Sequence, residues 1–158
     1  MKYLYIAALS ILMATSAQAT EVFINEIHYD NTGGDVDEFF EVAAPVGTDL
    51  TNWSVELYNG SNGTVYNTVP LSDGSTTQDE TTMFVTVNLP SNGLQNGSPD
   101  GLALIDNSGV VIQFLSYEGS LVGTNGTAVG LTSDDIGVSE SSSTPLGESL
   151  QLSGTGSV

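Results

Sequence analysis

Apolar residues in this chain cluster in short runs of four to eight, separated by Gly, Asn, Ser, Thr and Asp. Beyond the first two dozen positions no stretch keeps a 3.6-residue hydrophobic period. Short runs rich in Val, Ile, Phe, Tyr and Thr between turn formers predict β-strands. Eight are predicted: Val22–Tyr29, Glu38–Ala43, Trp53–Tyr58, Val65–Leu71, Thr82–Leu89, Leu102–Asp106, Val110–Tyr117 and Ser149–Leu152. In Trp53–Tyr58, Trp53, Val55 and Leu57 fall on one face, with Ser54 and Glu56 on the other. Trp53, Phe39, Phe40, Phe84 and Phe114 read as core residues. In Ile24–Tyr29 the alternation is not clean, and neither face is plainly the buried one. Many short strands with frequent turn signals give an all-β chain, a sandwich or a barrel.

Two hairpins are marked by their turns. Asn107-Ser108-Gly109 joins Leu102–Asp106 to Val110–Tyr117, and Asn59-Gly60 with Asn62-Gly63 separates Tyr58 from Val65. Asn52-Trp53-Ser54 and Asn62-Gly63-Thr64 have the form of glycosylation acceptors, but the second overlaps an Asn-Gly turn and both read as turns. Segments 72–81 and 90–101 read as loops. From Gly119 to Gly147 the chain is polar and glycine-rich, and reads either as irregular structure wrapping the sandwich or as a mobile segment.

The first nineteen residues follow another pattern. Lys2, the apolar run Tyr3–Met13 and Ala17-Gln18-Ala19 have the order of a cleaved secretory signal peptide. The run is too short to span a bilayer. Cleavage after Ala19 leaves 139 of the 158 residues, enough for one domain, and predicts a secreted or periplasmic product. It also removes Lys2, the single Lys or Arg, while all 19 acids stay. The mature chain then carries a net charge near −19 and cannot form a Lys or Arg salt bridge. Nucleic-acid affinity rests on Lys and Arg neutralising phosphates, so no direct nucleic-acid binding by this domain alone is expected. An anionic membrane surface is disfavoured in the same way. There is no cysteine, so thiol nucleophiles, thiolate metal sites and disulfides are excluded.

The densest chemistry lies in residues 22–43, VFINEIHYDNTGGDVDEFFEVA, two strands joined by a glycine-containing loop. The only histidine, His28, stands there among Glu21, Glu26, Asp30, Asp35, Asp37, Glu38 and Glu41. Calcium takes six to eight hard oxygen ligands, and Asp30, Asp35, Asp37 and Glu38 are its candidate ligands; the alternative is a solvated acidic loop. The loop is not an EF-hand. Counted from Asp30, the third and fifth positions are Thr32 and Gly34, and only Glu41 at the twelfth fits that motif. A lone histidine excludes two-histidine metalloprotease and phosphodiesterase centres. His28 reads as structural, hydrogen bonded to a carboxylate or carbonyl, with a catalytic role as the alternative. No G-x-S-x-G elbow occurs. Paired carboxylates are abundant, but no aromatic platform of a sugar cleft accompanies them.

"INEIHYDN", "GDVDEFFEV", "LTNWSVELYNG" and "SPDGLALIDNSGVVIQFLSYEG" together resemble the bacterial lamin tail domain over roughly residues 21–153. With "STPLGESLQLSGTG" the chain is most similar to the N-terminal module of large secreted bacterial nucleases. The resemblance implies an immunoglobulin-like β-sandwich over residues 20–158, lacking its last strand. It also implies a non-catalytic binding or positioning module, the accessory domain of an extracellular nuclease or other hydrolase. The implied partner is a C-terminal catalytic domain of the same polypeptide. One alternative is a free-standing, calcium-dependent surface or matrix interaction module. The other is a self-contained hydrolase using His28 and nearby acids.

Overall fold

The computed structural model describes residues 22–153. The segment read as a signal peptide lies outside them. Ten strands follow in order: β1 (Phe23–His28), β2 (Phe39–Pro45), β3 (Ser54–Asn59), β4 (Thr64–Pro70), β5 (Ser75–Gln78), β6 (Thr82–Asn88), β7 (Asp100–Ile105), β8 (Val111–Tyr117), β9 (Asp134–Asp135) and β10 (Leu150–Gln151). They form two five-stranded sheets, β10-β1-β2-β6-β5 and β4-β3-β7-β8-β9. Every pairing is antiparallel except β8 with β9. All eight predicted strands are present. The two unforeseen ones, β5 and β9, are short, exposed and polar, so neither carries an apolar pattern.

The sheets pack face to face. Phe40, Val42, Val85 and Val87 of the first meet Val55, Leu57, Leu102 and Leu104 of the second in one buried cluster. Burying each such side chain contributes roughly 1.5–3 kcal/mol, so this layer dominates stability. Trp53 packs against its margin, half-buried, with Phe40 fully inside. Phe39 and Phe84 are half-buried.

β1 explains its own irregular pattern. Val22, Ile24, Ile27 and Tyr29 all enter the core. A bulge between Ile24 and Glu26 adds one residue, which shifts the inward face from even to odd positions. Glu26 and His28 therefore share the opposite face, where they line one depression with Phe39.

β7 is buried on both sides, from Asp100 to Ile105. Its outer face is covered by the segment after β8. Leu121 and Ala128 of that segment pack on Tyr58, Ala103, Ile105 and Phe114. The wrapping alternative for Gly119–Gly147 is thus the one the structure adopts. Close approach requires Gly63, at φ +71° in the β3–β4 turn: a Cβ there would stand 2.1 Å from the Val122 carbonyl oxygen.

Candidate functional site: an acidic end held by buried carboxylates

The β1–β2 loop and the segments around Asn92, Glu118 and Glu140 gather at one end of the sandwich. Glu140 organises them. Its carboxylate accepts from His28 Nδ1 (2.8 Å), Tyr29 N (2.5 Å) and Asp30 N (3.0 Å). Its own N–H donates to the Tyr29 hydroxyl (2.7 Å), which donates in turn to Glu118 Oε1 (3.0 Å). The Tyr29 ring stacks on Tyr117, with centroids 3.9 Å apart. Glu140 and His28 are each 3% exposed.

The other His28 nitrogen is also engaged. Asn31 Nδ2 lies 2.8 Å from His28 Nε2 and donates to the Val36 carbonyl at 2.8 Å. An amide that already donates to Val36 offers its second N–H to Nε2, so Nε2 accepts and Nδ1–H donates to Glu140. A carboxylate on Nδ1 is also the arrangement of a catalytic triad. There, however, Nε2 must face a nucleophile. Here it faces an amide inside the protein, and the imidazole serves as a buried link. Asn31 Oδ1 is buried with no partner.

The four candidate calcium ligands part company. Asp30 and Asp35 come together: burial first, then hydrogen bonding to Asp35 and its charge, raise the Asp30 carboxyl above the ordinary range. Asn96 Nδ2 donates to Asp35 Oδ2 at 3.0 Å. Asp37, in a left-handed conformation with φ 59°, turns to the depression shared with Glu26, His28 and Glu148. Glu38 is fully buried, and its two oxygens accept Asn92 N (2.7 Å) and Leu94 N (2.6 Å). Among the described residues no group of three or more His, Asp or Glu side chains has a metal-holding arrangement.

Glu38 and Glu140 belong to a wider pattern that sequence reasoning missed. Glu56 accepts the Thr127 N–H and hydroxyl, both at 2.8 Å, and the Tyr58 hydroxyl at 2.7 Å. Asp100 accepts Gly60 N (2.8 Å) and Gly97 N (2.7 Å). Burial raises the Asp100 carboxyl, against the two N–H groups that stabilise its charge. In a chain short of cations, inward acids are met by loop amides. Such charge-assisted bonds are stronger than neutral ones, and each fastens a distant loop to the sandwich. For Glu56 a signal was available, an acid flanked by apolar strand residues in Val55-Glu56-Leu57; Glu38, Asp100 and Glu140 carry none. What the acids meet was not legible.

Burial likewise raises Tyr29, Tyr58, Tyr66 and Tyr117 above the ordinary phenol value of 10.0. The folded chain therefore keeps phenol protons that the unfolded chain loses above about pH 10. Unfolding then releases protons, and stability falls as pH rises past that value. A titration in 295 nm absorbance and circular dichroism should show phenolate appearing together with loss of structure. Ionisation of most phenols near pH 10 with the fold intact would contradict it. Asp30 and Asp100 act in the same direction lower down. Their folded carboxyls hold protons that the unfolded ones have released, so their contribution is lost as pH rises through the raised folded values.

Among the described residues no helix is long and apolar enough to cross a membrane. No family model, curated protein or solved structure matches the chain.

Proposed function

We propose that this chain is an exported, non-catalytic module of the lamin-tail, immunoglobulin-like type that acts by binding or positioning. In this reading it is the N-terminal accessory domain of a larger secreted nuclease or hydrolase. The observation that carries the non-catalytic part is the state of His28. It is the only histidine in the sequence, it is buried, and both ring nitrogens are engaged inside the fold. A general base must reach substrate, and this one reaches Glu140 and Asn31. The stretches that resemble the lamin tail domain fall on β1, β2, β3 and the β7–β8 hairpin, the framework of the sandwich. That distribution supports a resemblance of fold more than of site.

The test is direct. Purified chain, incubated with supercoiled plasmid in magnesium or calcium, should neither nick the DNA nor retain it on a filter at low salt. Nicking that His28→Asn abolishes would overturn the reading in favour of a self-contained hydrolase.

A second reading, the calcium-dependent surface or matrix module, is favoured by the Asp30–Asp35 pair. Two neighbouring carboxylates, Asp35 raising the Asp30 carboxyl by hydrogen bonding and charge, are relieved by a shared proton or by a hard cation. The pair can supply only part of calcium's six to eight oxygens, the remainder being carbonyls and water. This reading requires calcium to raise the melting temperature over chelator at equal ionic strength, and Asp35→Asn to cancel the rise. Equal melting temperatures would remove it.

A further inference from the structure

The two sheets are closed unequally at their sides. Along one side each ends in a two-residue strand, β10 beside β1 and β9 beside β8. Between them lies an apolar groove of about 90 Å³, lined chiefly by Ile24, Leu115, Ile136, Val138, Leu150 and Leu152. Val138 is 55% and Leu152 61% exposed. Natural sheets keep edge strands short or charged to avoid stray pairing, and apolar side chains left open along such an edge mark an interaction site.

Among the described residues the edge also has unpaired backbone. Leu152 N donates to the Asn25 carbonyl at 2.9 Å, so Leu152 and Leu150 turn their backbone toward β1. By the alternation of a strand, the N–H and C=O of Gln151 then face away from β1, toward the groove's rim. Farther along, Ile24 N is met by the Gln113 side chain at 2.8 Å, which closes that part of the edge. The opening is therefore confined to β10 and the groove beside it.

Charge selects the occupant. Asp134 and Asp135 form β9 on one wall of the groove, and Glu26 and Glu148 stand across β10 on its outer face. The described residues contain no Lys or Arg to answer them, and they hold 18 of the chain's 19 acids. A second copy would bring the same acids of β9 and β10 to the seam and no Lys or Arg among its described residues. Nucleic acid and anionic lipid are repelled alike.

We propose that this seam is a docking groove for an extended polypeptide segment in which aliphatic residues alternate with Lys or Arg. The segment pairs with the outer edge of β10, sets its aliphatic side chains into the groove and turns its cations to the flanking acids, a form of strand addition. The proposal rests on the binding-module reading above and supplies its surface.

The probe is an acetylated, amidated (Lys-Val)4 peptide. It is compared with (Glu-Val)4 and with octalysine, by fluorescence anisotropy and by amide shift mapping on the purified chain. (Lys-Val)4 should bind best, with the largest shifts at Gln151, Ile136 and Val138. Val138→Asp is the decisive variant, because it adds an acid while spoiling the apolar wall. Docking in the seam predicts about tenfold weaker (Lys-Val)4 binding, the worth of one aliphatic contact. Charge attraction alone predicts binding that is unchanged or tighter, which would overturn the proposal. Gln151→Pro removes the outward N–H and should weaken binding with the melting temperature retained. Octalysine binding as well as (Lys-Val)4, shifts confined to another face, or self-association through the seam would each overturn it. Plasmid nicking is a separate readout, so failure of the seam and failure of the non-catalytic reading are distinguishable.

Discussion

Replacing Glu140 with alanine lowers the stability of this protein by about 3–5 kcal/mol, the sum expected for three donors that lose one carboxylate acceptor together. The variant leaves His28 Nδ1, Tyr29 N and Asp30 N without their acceptor, the first two in the buried interior and the third at its margin. Each buried donor left unsatisfied costs roughly 1–3 kcal/mol. Against a total stability of about 5–15 kcal/mol the loss is large, and the melting temperature should fall by about 10 °C. Glu140→Gln keeps one acceptor oxygen but turns an amide nitrogen toward N–H donors, so it should lose about half as much. Proteolysis should reach the 119–147 segment first in both variants, because Glu140 fastens it to β1. Thermal melts of the three proteins check the order. A Glu140→Ala protein within 1 kcal/mol of the parent would show that the buried network contributes little.

Glu38→Ala should cost about 3 kcal/mol, from two charge-assisted hydrogen bonds lost at once. Its carboxylate holds Asn92 N and Leu94 N, and its own carbonyl accepts Leu89 N at 2.8 Å. Leu94 is a member of the core, so slackening the 89–94 turn also loosens apolar packing. The same variant separates two roles for Glu38. As a fastener of the turn it loses the same stability with calcium or with chelator. As a calcium ligand it would lose stability only where calcium is present. Denaturant unfolding in the two conditions decides between them, and the geometry predicts equal losses.

Both predictions concern acids that look alike in the sequence. Asp30, Asp35, Asp37 and Glu38 stand within nine residues, and a reading by spacing groups them as ligands of one ion. Strand geometry disperses them. Glu38, one residue before β2, turns inward beneath the 90–94 turn. Asp37, beside it, lies in a left-handed conformation and faces the other way. Of the four, only Asp30 and Asp35 are brought near one another. Spacing along a loop does not encode direction, because one left-handed residue reverses the side chains that follow.

His28 illustrates the opposite case. A structural role, with a carboxylate as partner, was legible from its setting among acids. The partner was not: Glu140 lies 112 residues away, in a polar segment with little apolar signal of its own. Ile24–Tyr29 was ambiguous for a similar reason, since a bulge breaks the period of two that the pattern is read by. β9 was invisible because two exposed aspartates carry no strand signal.

The all-β class, the eight main strands, the two Asn- and Gly-marked hairpins and the strongly acidic balance were all legible in the amino-acid order. Each of these depends on local periodicity, turn chemistry or simple counting, which neighbours in the chain express. Burial of particular acids, the loop amides that meet them and a histidine with both nitrogens taken came only with the packed sheets, as did an apolar seam left open among the described residues. Those outcomes depend on groups distant in sequence becoming adjacent, and a buried carboxylate takes its partner from whichever backbone the packed sheets bring within reach.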